Sequence, residues 1–238
     1  MHIIPVTVPR FVKKAFPNVV WEFLAKGKSI YLTFDDGPTP EITAWTLDIL
    51  KQFNAKATFF CIGKNVKEHP EIFHKIITDG HSIGNHTYNH LKGWKTKTDD
   101  YVNSILKTQE LFNQQFLNSK FANHQPSTCP EQLVLSEVEV SQRVTNLFRP
   151  PYGQIRPKQV KKLCHLGYNI IMWSVLSMDY YNTLPKEKCL KNVIKNTSSG
   201  DIVVFHDSIK ASKNMQYTLP KVLEYFSKKG YEFKRIPE

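Results

Sequence analysis

Two adjacent carboxylates at the end of an apolar stretch are the clearest candidates for chemistry in this 238-residue chain. Residues 31–38, with the sequence YLTFDDGP, run from apolar and β-branched residues into Asp35 and Asp36, and a Gly-Pro turn follows. This pattern predicts a buried strand that delivers both aspartates to one point. Because adjacent carboxylates repel each other, both stay ionised only where a cation or separate partners neutralise them. For the motif alone, a solvated Asp-Asp-Gly turn is the alternative.

A pair of histidines, His86 and His90, is the second candidate. One helical turn apart, the two imidazoles would share a face at a spacing suited to a divalent metal. One carboxylate of the Asp35–Asp36 pair completes a two-histidine, one-carboxylate ligand set, and the other carboxylate is free to act as a base. Zinc suits these ligands best, and cobalt, manganese, nickel and iron(II) are alternatives. Thr87 excludes a metalloprotease helix, because that motif has Glu directly after its first His.

Strand-like and helical segments alternate along the chain and would position these residues. Roughly seven apolar runs, among them residues 57–60, 168–175 and 202–205, are separated by segments of helical periodicity. This alternation predicts an α/β fold with parallel strands, outer helices and right-handed crossovers, and seven units would close or nearly close a barrel. The C-terminal ends of parallel strands share one face of a barrel, where active sites lie. That face would gather Asp35, Asp36, His86, His90, Arg149, Tyr152, Asp179 and His206.

The composition is that of an ordinary globular protein, with 41% hydrophobic and 22% charged residues. The net charge is 32 − 21 = +11, which favours anionic partners. A nucleic-acid binder is not predicted, because the lysines are scattered and no stripe of basic and aromatic residues occurs. Four cysteines, at positions 61, 129, 164 and 189, are far apart and form no C-x-x-C pair, which argues against a thiolate zinc site. A chain of this size does not need a disulfide framework.

The two parts of the chain without a clear strand–helix pattern are its beginning and residues 121–145. We expect residues 1–27 to be an N-terminal segment that packs on a single domain of residues 28–238, with an amphipathic interfacial helix as the alternative. Pro5 and Pro9 interrupt the apolar run of a signal peptide, and no stretch approaches the ~20 apolar residues of a membrane span. A cytoplasmic location is therefore expected. Residues 121–145 lack periodicity and are predicted to be a surface insertion.

Five motifs in this order resemble the motif set of the polysaccharide deacetylases with the NodB homology domain, carbohydrate esterase family 4: TFDDGP, GHSIGNHTYNH, FRPPYG, WSVLSMDY and IVVFHD. The resemblance covers about residues 28–235. It implies a distorted (β/α)7 barrel and a metal-dependent hydrolase. Such an enzyme would remove N-acetyl groups from sugars in a polysaccharide, peptidoglycan or oligosaccharide and release acetate.

The resemblance also implies roles for the metal ligands and the base. Asp36, His86 and His90 match the metal ligands of the family, and Asp35 matches its catalytic base. Arg149 matches the residue that orients this base. A divalent metal, with zinc preferred, is the implied cofactor.

Three further residues match the family positions that act on the substrate. Tyr152 matches the residue whose backbone N–H stabilises the oxyanion. Asp179 and His206 match the pair in which a protonated imidazole serves as general acid. An acetylated carbohydrate is the implied partner, and the sequence leaves the oligomeric state open.

Three positions depart from the family pattern. Leu176 stands where an Asp is usual, Tyr180 where a Trp is usual and Leu91 where a Pro often follows the second ligand histidine. Because none of them is a predicted ligand, base or acid, they bear on the pocket and the substrate. An O-acetyl esterase and a non-catalytic glycan-binding barrel are the alternative functions.

Overall fold

A parallel β-sheet forms the centre of the protein, whose computed structural model describes residues 5–24, 27–122 and 144–237. The strands follow the order β5-β4-β3-β2-β1-β7-β6, β8 pairs with β1, and all pairs are parallel. Seven parallel strands curl into a half-barrel with surrounding helices, which confirms the predicted distorted (β/α)7 barrel. The strands are β1 (Ser29–Asp35), β2 (Ala57–Cys61), β3 (Ser82–Asn85), β4 (Leu147–Phe148), β5 (Asn169–Ile170), β6 (Val175–Leu176), β7 (Ile202–His206) and β8 (Glu232–Phe233).

The helices begin where the sequence places helix-start residues. Pro70 and Pro157 each occupy a first-turn position, where proline needs no N–H partner, and Asp99 and Asp100 favour the first turn of the longest helix. Pro220 lies inside the last helix, which periodicity alone does not predict. The helices are α1 (Arg10–Ala15), α2 (Ile42–Gln52), α3 (Gly63–Glu68), α4 (Pro70–Thr78), α5 (Thr98–Ala122), α6 (Pro157–His165), α7 (Lys186–Asn196) and α8 (Ser212–Lys228).

Strand β1 lies in the middle of the sheet, and its Phe34 side chain packs in the core. Phe34 stacks on Phe59 of β2 and on Phe205 of β7, with ring centroids 5.0 and 6.0 Å apart. All three rings are buried. Burial of one such side chain stabilises the fold by about 1.5–3 kcal/mol, and a stacked pair adds about 0.5–1.5 kcal/mol. The strand that ends in Asp35 is therefore held rigidly from both sides.

The predicted single strand at residues 168–175 is wrong, because the structure divides it into β5 and β6. The guanidinium group of Arg149 lies at the break. Its Nε donates to the carbonyl of Ile171 at 3.2 Å, and its Nη2 donates to the carbonyl of Met172 at 2.8 Å. These two carbonyls are thereby used by a buried side chain, and the sheet pattern stops between the two short strands.

The N-terminal segment pairs with the chain on both sides of this break. Val20 donates its N–H to Ile170 at 2.9 Å and accepts from the N–H of Met172 at 2.7 Å. Thr7 forms an antiparallel bridge with Val175. These contacts support the proposal that residues 1–27 pack on the barrel. Residues 1–4 and 25–26 lie outside the described residues.

Most of the predicted insertion at 121–145 also lies outside the described residues, which omit 123–143. At its start, Phe121 and Ala122 are the last residues of α5. At its end, Thr145 is buried and donates its hydroxyl to the carbonyl of Ile83 at 2.8 Å. In the described ranges, no helix combines the length and the apolar character that a membrane span requires.

Candidate active site

A pocket of about 340 Å³ opens at the C-terminal ends of the strands. Six of the eight predicted site residues line it, and the other two, Arg149 and Asp179, are buried and bonded to lining residues. A larger groove of about 770 Å³, between the N-terminal segment and α6, contains none of the eight. The pocket is lined by Asp35, Asp36, His86, His90, Tyr152, Trp173, Leu176, Tyr180, Val204, His206 and Lys210.

Asp36, His86 and His90 form a cluster suited to a metal ion. Their ligand atoms all lie within 4.8 Å of one another. Asp36 Oδ1 lies 3.7 Å from His86 Nε2 and 3.2 Å from His90 Nε2. Tetrahedral ligands at about 2.0–2.1 Å from a zinc ion are roughly 3.3 Å apart. The three side chains therefore fit a divalent ion.

The two histidines do not lie on a helix, so the helical-spacing argument for them is wrong. They follow β3 in a loop in which Thr87 and His90 have φ values of 64° and 54°. Asn85 Oδ1 accepts from the N–H of Thr87 at 3.0 Å, and Thr87 Oγ1 accepts from the N–H of Leu91 at 3.0 Å. These bonds fix the loop in its left-handed conformation. The rings of His86 and His90 are brought to 5.0 Å by this loop.

Burial keeps both histidines in the neutral form that binds metals. It lowers the pKa of His86 well below the usual value, and the neighbouring His90 lowers this pKa further. Burial also lowers the pKa of His90, despite the nearby Asp36 carboxylate. His86 Nδ1 lies 2.8 Å from the carbonyl oxygen of Arg149. Because that oxygen can only accept, Nδ1 carries the hydrogen and Nε2 is left for the metal.

Asp35 is held by a buried arginine. Arg149 Nη1 donates to Asp35 Oδ1 and to Thr33 Oγ1, both at 2.7 Å. The guanidinium carbon lies 4.1 Å from the centre of the Phe60 ring. Arg149 is fully buried, so its rotamer is fixed by these partners and by the two carbonyls described above. This fixed orientation suits a carboxylate that must accept a proton from one direction.

Asp179 binds His206 with both carboxylate oxygens. His206 Nδ1 donates to Oδ1 at 2.7 Å, and the His206 backbone N–H donates to Oδ2 at 2.8 Å. Burial alone would lower the pKa of His206, but the carboxylate of Asp179 outweighs it and raises this pKa to about 9. The Asp179 carboxylate therefore favours the protonated form of the imidazole. Its other nitrogen, Nε2, is the one that can pass a proton to a substrate.

Tyr152 is the least buried of the predicted residues. It lies in the short 3-10 turn Pro151–Gly153 with a φ of 59°, and its ring centroid is 4.5 Å from that of His90. The residue is 48% exposed. Within the described part of the chain, no acceptor takes its backbone N–H. The oxyanion role of this N–H stays a prediction.

Asp207 is a structural partner of the site that the sequence reasoning did not assign. It is fully buried, its Oδ2 accepts from Thr43 Oγ1 at 2.6 Å, and its N–H donates to the carbonyl of Asp35 at 3.1 Å. A Cβ atom on Gly37 would lie 2.1 Å from Oδ2. Asp207 therefore packs directly against the turn that carries Asp36. Its place after His206 was the only signal in the sequence.

Similar proteins place this geometry in a family. Residues 25–171 match the family described as Polysaccharide deacetylase. A peptidoglycan-N-acetylglucosamine deacetylase of Bacillus cereus is 34% identical over 222 residues, which are 92% of this chain and 92% of that protein. The peptidoglycan-N-acetylmuramic acid deacetylase PdaA of Bacillus subtilis is 30% identical over 217 residues, covering 90% of this chain and 72% of that protein.

The fold agrees with these sequence matches. The crystal structure of the peptidoglycan N-acetylglucosamine deacetylase Bc1960 superposes with a TM-score of 0.79 at 29% identity and covers 97% of this chain and 95% of that one. The predicted carbohydrate N-deacetylase activity is thus confirmed at the level of the family. This chain belongs to the polysaccharide deacetylase family.

Proposed function

We propose that this protein is a metal-dependent deacetylase that removes N-acetyl groups from the sugars of peptidoglycan. One observation carries the proposal: three ligand atoms within 4.8 Å of one another share a pocket with an arginine-held Asp35 and an aspartate-held His206. This combination provides a base and an acid in the same pocket as a metal site. The names of the relatives support peptidoglycan as the polymer.

The residues act in the following way. Asp35 accepts a proton from the attacking water, and Arg149 keeps the carboxylate aimed by binding Oδ1. The water oxygen bonds to the carbonyl carbon of the acetamide, and the backbone N–H of Tyr152 donates to the oxyanion that results. His206 gives its proton to the sugar nitrogen as the C–N bond breaks. Acetate and a free amino sugar leave, so the overall reaction is hydrolysis.

Asp36, His86 and His90 would hold the divalent ion in this mechanism. When bound, such an ion supplies positive charge that polarises the carbonyl and makes water more acidic. We propose zinc, because nitrogen and carboxylate ligands at this spacing suit it, and cobalt, manganese, nickel and iron(II) are the alternatives to be compared.

Acetate release from a panel of substrates tests this function. The panel contains N-acetylglucosamine oligomers, peptidoglycan, acetylxylan and small glycoconjugates, each with added zinc or cobalt. Peptidoglycan should release the most acetate. Faster release from acetylxylan would favour an O-acetyl esterase, and no release from any substrate with metal bound would favour a glycan-binding barrel.

Substitutions of the two adjacent aspartates should have different effects on rate and metal content. Asp35→Asn should keep the metal and lose about 10²–10⁴-fold in rate, as expected for a general base. Asp36→Asn should lose metal, measured by elemental analysis. If Asp35→Asn costs less than a few-fold in rate, the base is another residue.

The predicted cytoplasmic location and the absence of nucleic-acid binding stay predictions. A peptidoglycan substrate would place the enzyme outside the cytoplasm, because this polymer is extracellular. Localisation of the native protein in fractionated cells decides between the two.

A further inference from the structure

Two lysines beside the pocket take no part in the proposed hydrolysis. Lys210 lines the pocket, and its Nζ lies 5.6 Å from the centre of the Tyr180 ring. Lys92 places its Nζ 4.8 Å from the centre of the Tyr152 ring, which itself lines the pocket. Both lysines are exposed. Each ammonium group thus stands over an aromatic wall of the site.

Each of these lysine–tyrosine pairs flanks a different side of the reaction centre. The Tyr180 ring is 4.9 Å from the His206 ring, so Lys210 belongs to the side of the general acid. The Tyr152 ring is 4.5 Å from His90, so Lys92 belongs to the side of the metal ligands. Cation–π contacts orient an ammonium group without neutralising it.

The carboxylates of the site already have other partners. Asp35 pairs with Arg149, and Asp179 pairs with His206. In the described ranges, neither Lys92 nor Lys210 has an Asp or Glu oxygen within salt-bridge distance. The lysines that do have one are Lys13, Lys64, Lys75, Lys162, Lys228 and Lys234. The pocket wall between the two rims adds apolar side chains, Trp173, Leu176 and Val204, and no further carboxylate. Among the described residues, the pocket rim therefore has two positive charges without a carboxylate partner.

The position of the substrate follows from the proposed chemistry. His206 protonates the nitrogen that stays on the sugar, so the sugar lies on the side of His206, Tyr180 and Lys210. Groups on this sugar, or on its neighbour in the polymer, then come close to the Lys210 ammonium. A carboxylate there would meet an unpaired cation at the edge of a partly apolar pocket, where charge attraction exceeds its value in bulk water.

We infer that Lys210 binds a carboxylate of the glycan next to the N-acetyl group that is removed. The preferred substrates are then acidic glycans whose sugars carry carboxylates, in contrast to neutral N-acetylglucosamine oligomers. This inference rests on the proposed deacetylase function and makes Lys210 a specificity-determining residue.

A matched pair of substrates tests the inference. One is a peptide-free peptidoglycan strand with free lactyl carboxylates, and the other is the same strand with each carboxylate converted to a methyl amide. The readout is the ratio of kcat/KM for the acidic strand to kcat/KM for the amidated strand. The wild type should favour the acidic strand, and added salt should reduce the ratio by screening.

Substitution of the lysines should lower this ratio. Lys210→Met should reduce it about two- to fivefold, the range of an exposed ion pair, and Lys92→Met, on the side of the metal ligands, should reduce it less. Lys210→Arg should keep the preference because it keeps the charge. Lys95→Met is the matched control, since Lys95 is an exposed lysine near Lys92 that does not line the pocket, and it should leave the ratio unchanged.

Equal kcat/KM values for the two strands in the wild type would overturn the inference while leaving the deacetylase function intact. If no strand is hydrolysed, the proposed function fails, and equilibrium binding of the two strands to the metal-loaded protein takes over as the readout. Tighter binding of the acidic strand that Lys210→Met abolishes would then support the inference, and equal binding would reject it.

Discussion

The Asp179 carboxylate is the main group that favours a positive charge on His206. Burial opposes a charge on the imidazole, but Asp179 accepts from both its ring and its backbone and raises the His206 pKa to about 9. In an unfolded chain the value is about 6.5. Because the folded pKa is the higher one, the ion pair stabilises the fold fully below about pH 6.5, and this stabilisation is lost as pH rises through about 9.

The same pKa predicts the alkaline limit of activity. kcat/KM on an amide substrate should fall as the pH rises through a value between about 6.5 and 9, since a bound divalent cation repels the imidazolium and lowers its pKa from the upper figure. Asp179→Asn removes the negative charge while His206 stays buried, so the alkaline fall in kcat/KM should move to lower pH. The rate at pH 8 should fall at least about tenfold. Metal content, measured on the same samples, is the control. If kcat/KM of Asp179→Asn falls at the same pH as that of the wild type, another group is the acid.

Asp207 and Gly37 allow a test of how the aspartate turn is held. Gly37→Ala would place a methyl group 2.1 Å from Asp207 Oδ2. Overpacking of this kind costs about 1–3 kcal/mol, or roughly 2–12 °C in Tm for a chain of this size. We also expect weaker metal binding, because the shifted turn carries Asp36. The double variant Gly37→Ala/Asp207→Ala should recover part of the Tm, and no recovery would show that the clash is not with Asp207.

At the residue scale, the sequence predicted the groups that do chemistry better than those that support them. Asp35 and His206 follow buried apolar runs, so their positions at strand ends could be inferred from the pattern. Lys210 and Thr43 reach the site only through the folded path of the chain, and no periodicity marks them. Distances between loops that are far apart in sequence are set by tertiary packing.

At the scale of elements, one buried arginine reshapes a strand. The apolar run at residues 168–175 has the composition of a continuous strand, but Arg149 uses the carbonyls of Ile171 and Met172. Local propensity could not predict this break, because its cause lies about twenty residues earlier in the chain. The carbonyl of Val20 accepts a hydrogen bond from the N–H of Met172. The N-terminal segment thus supplies backbone partners that the sheet itself does not.

Val20→Pro tests this pairing. Proline removes the N–H that donates to Ile170, so a carbonyl in the sheet loses its partner, which costs about 1–3 kcal/mol. Val20→Ala is the matched control, because it shortens the same side chain and keeps the N–H. Val20→Pro should melt roughly 2–12 °C below Val20→Ala in a thermal scan. Equal melting temperatures would show that the segment contributes nothing to the sheet.

At the scale of the whole molecule, the metal site ties two separate loops together. Asp36 belongs to the turn after β1, and His86 and His90 belong to the loop after β3. Asn65 in α3 adds a link, since its Nδ2 donates to the carbonyl of Asp36 at 2.8 Å. An unfolded chain cannot hold the three ligands together, so an ion that binds only the native state stabilises the entire fold.

Metal removal should therefore lower the melting temperature of the whole protein. At a free metal concentration 1,000 times Kd, binding contributes about 4.1 kcal/mol, which corresponds to roughly 8–16 °C in Tm for a chain of this size. A chelator should remove this increment, and added zinc should restore it. His86→Ala should melt at one temperature with or without zinc, because two protein ligands hold a divalent ion weakly. Asp35→Asn is the control, since it keeps all three ligands and should keep the full zinc-dependent shift. A zinc-dependent shift of normal size in His86→Ala would show that other residues hold the metal. The assignment of Asp36, His86 and His90 as its ligands would then be wrong.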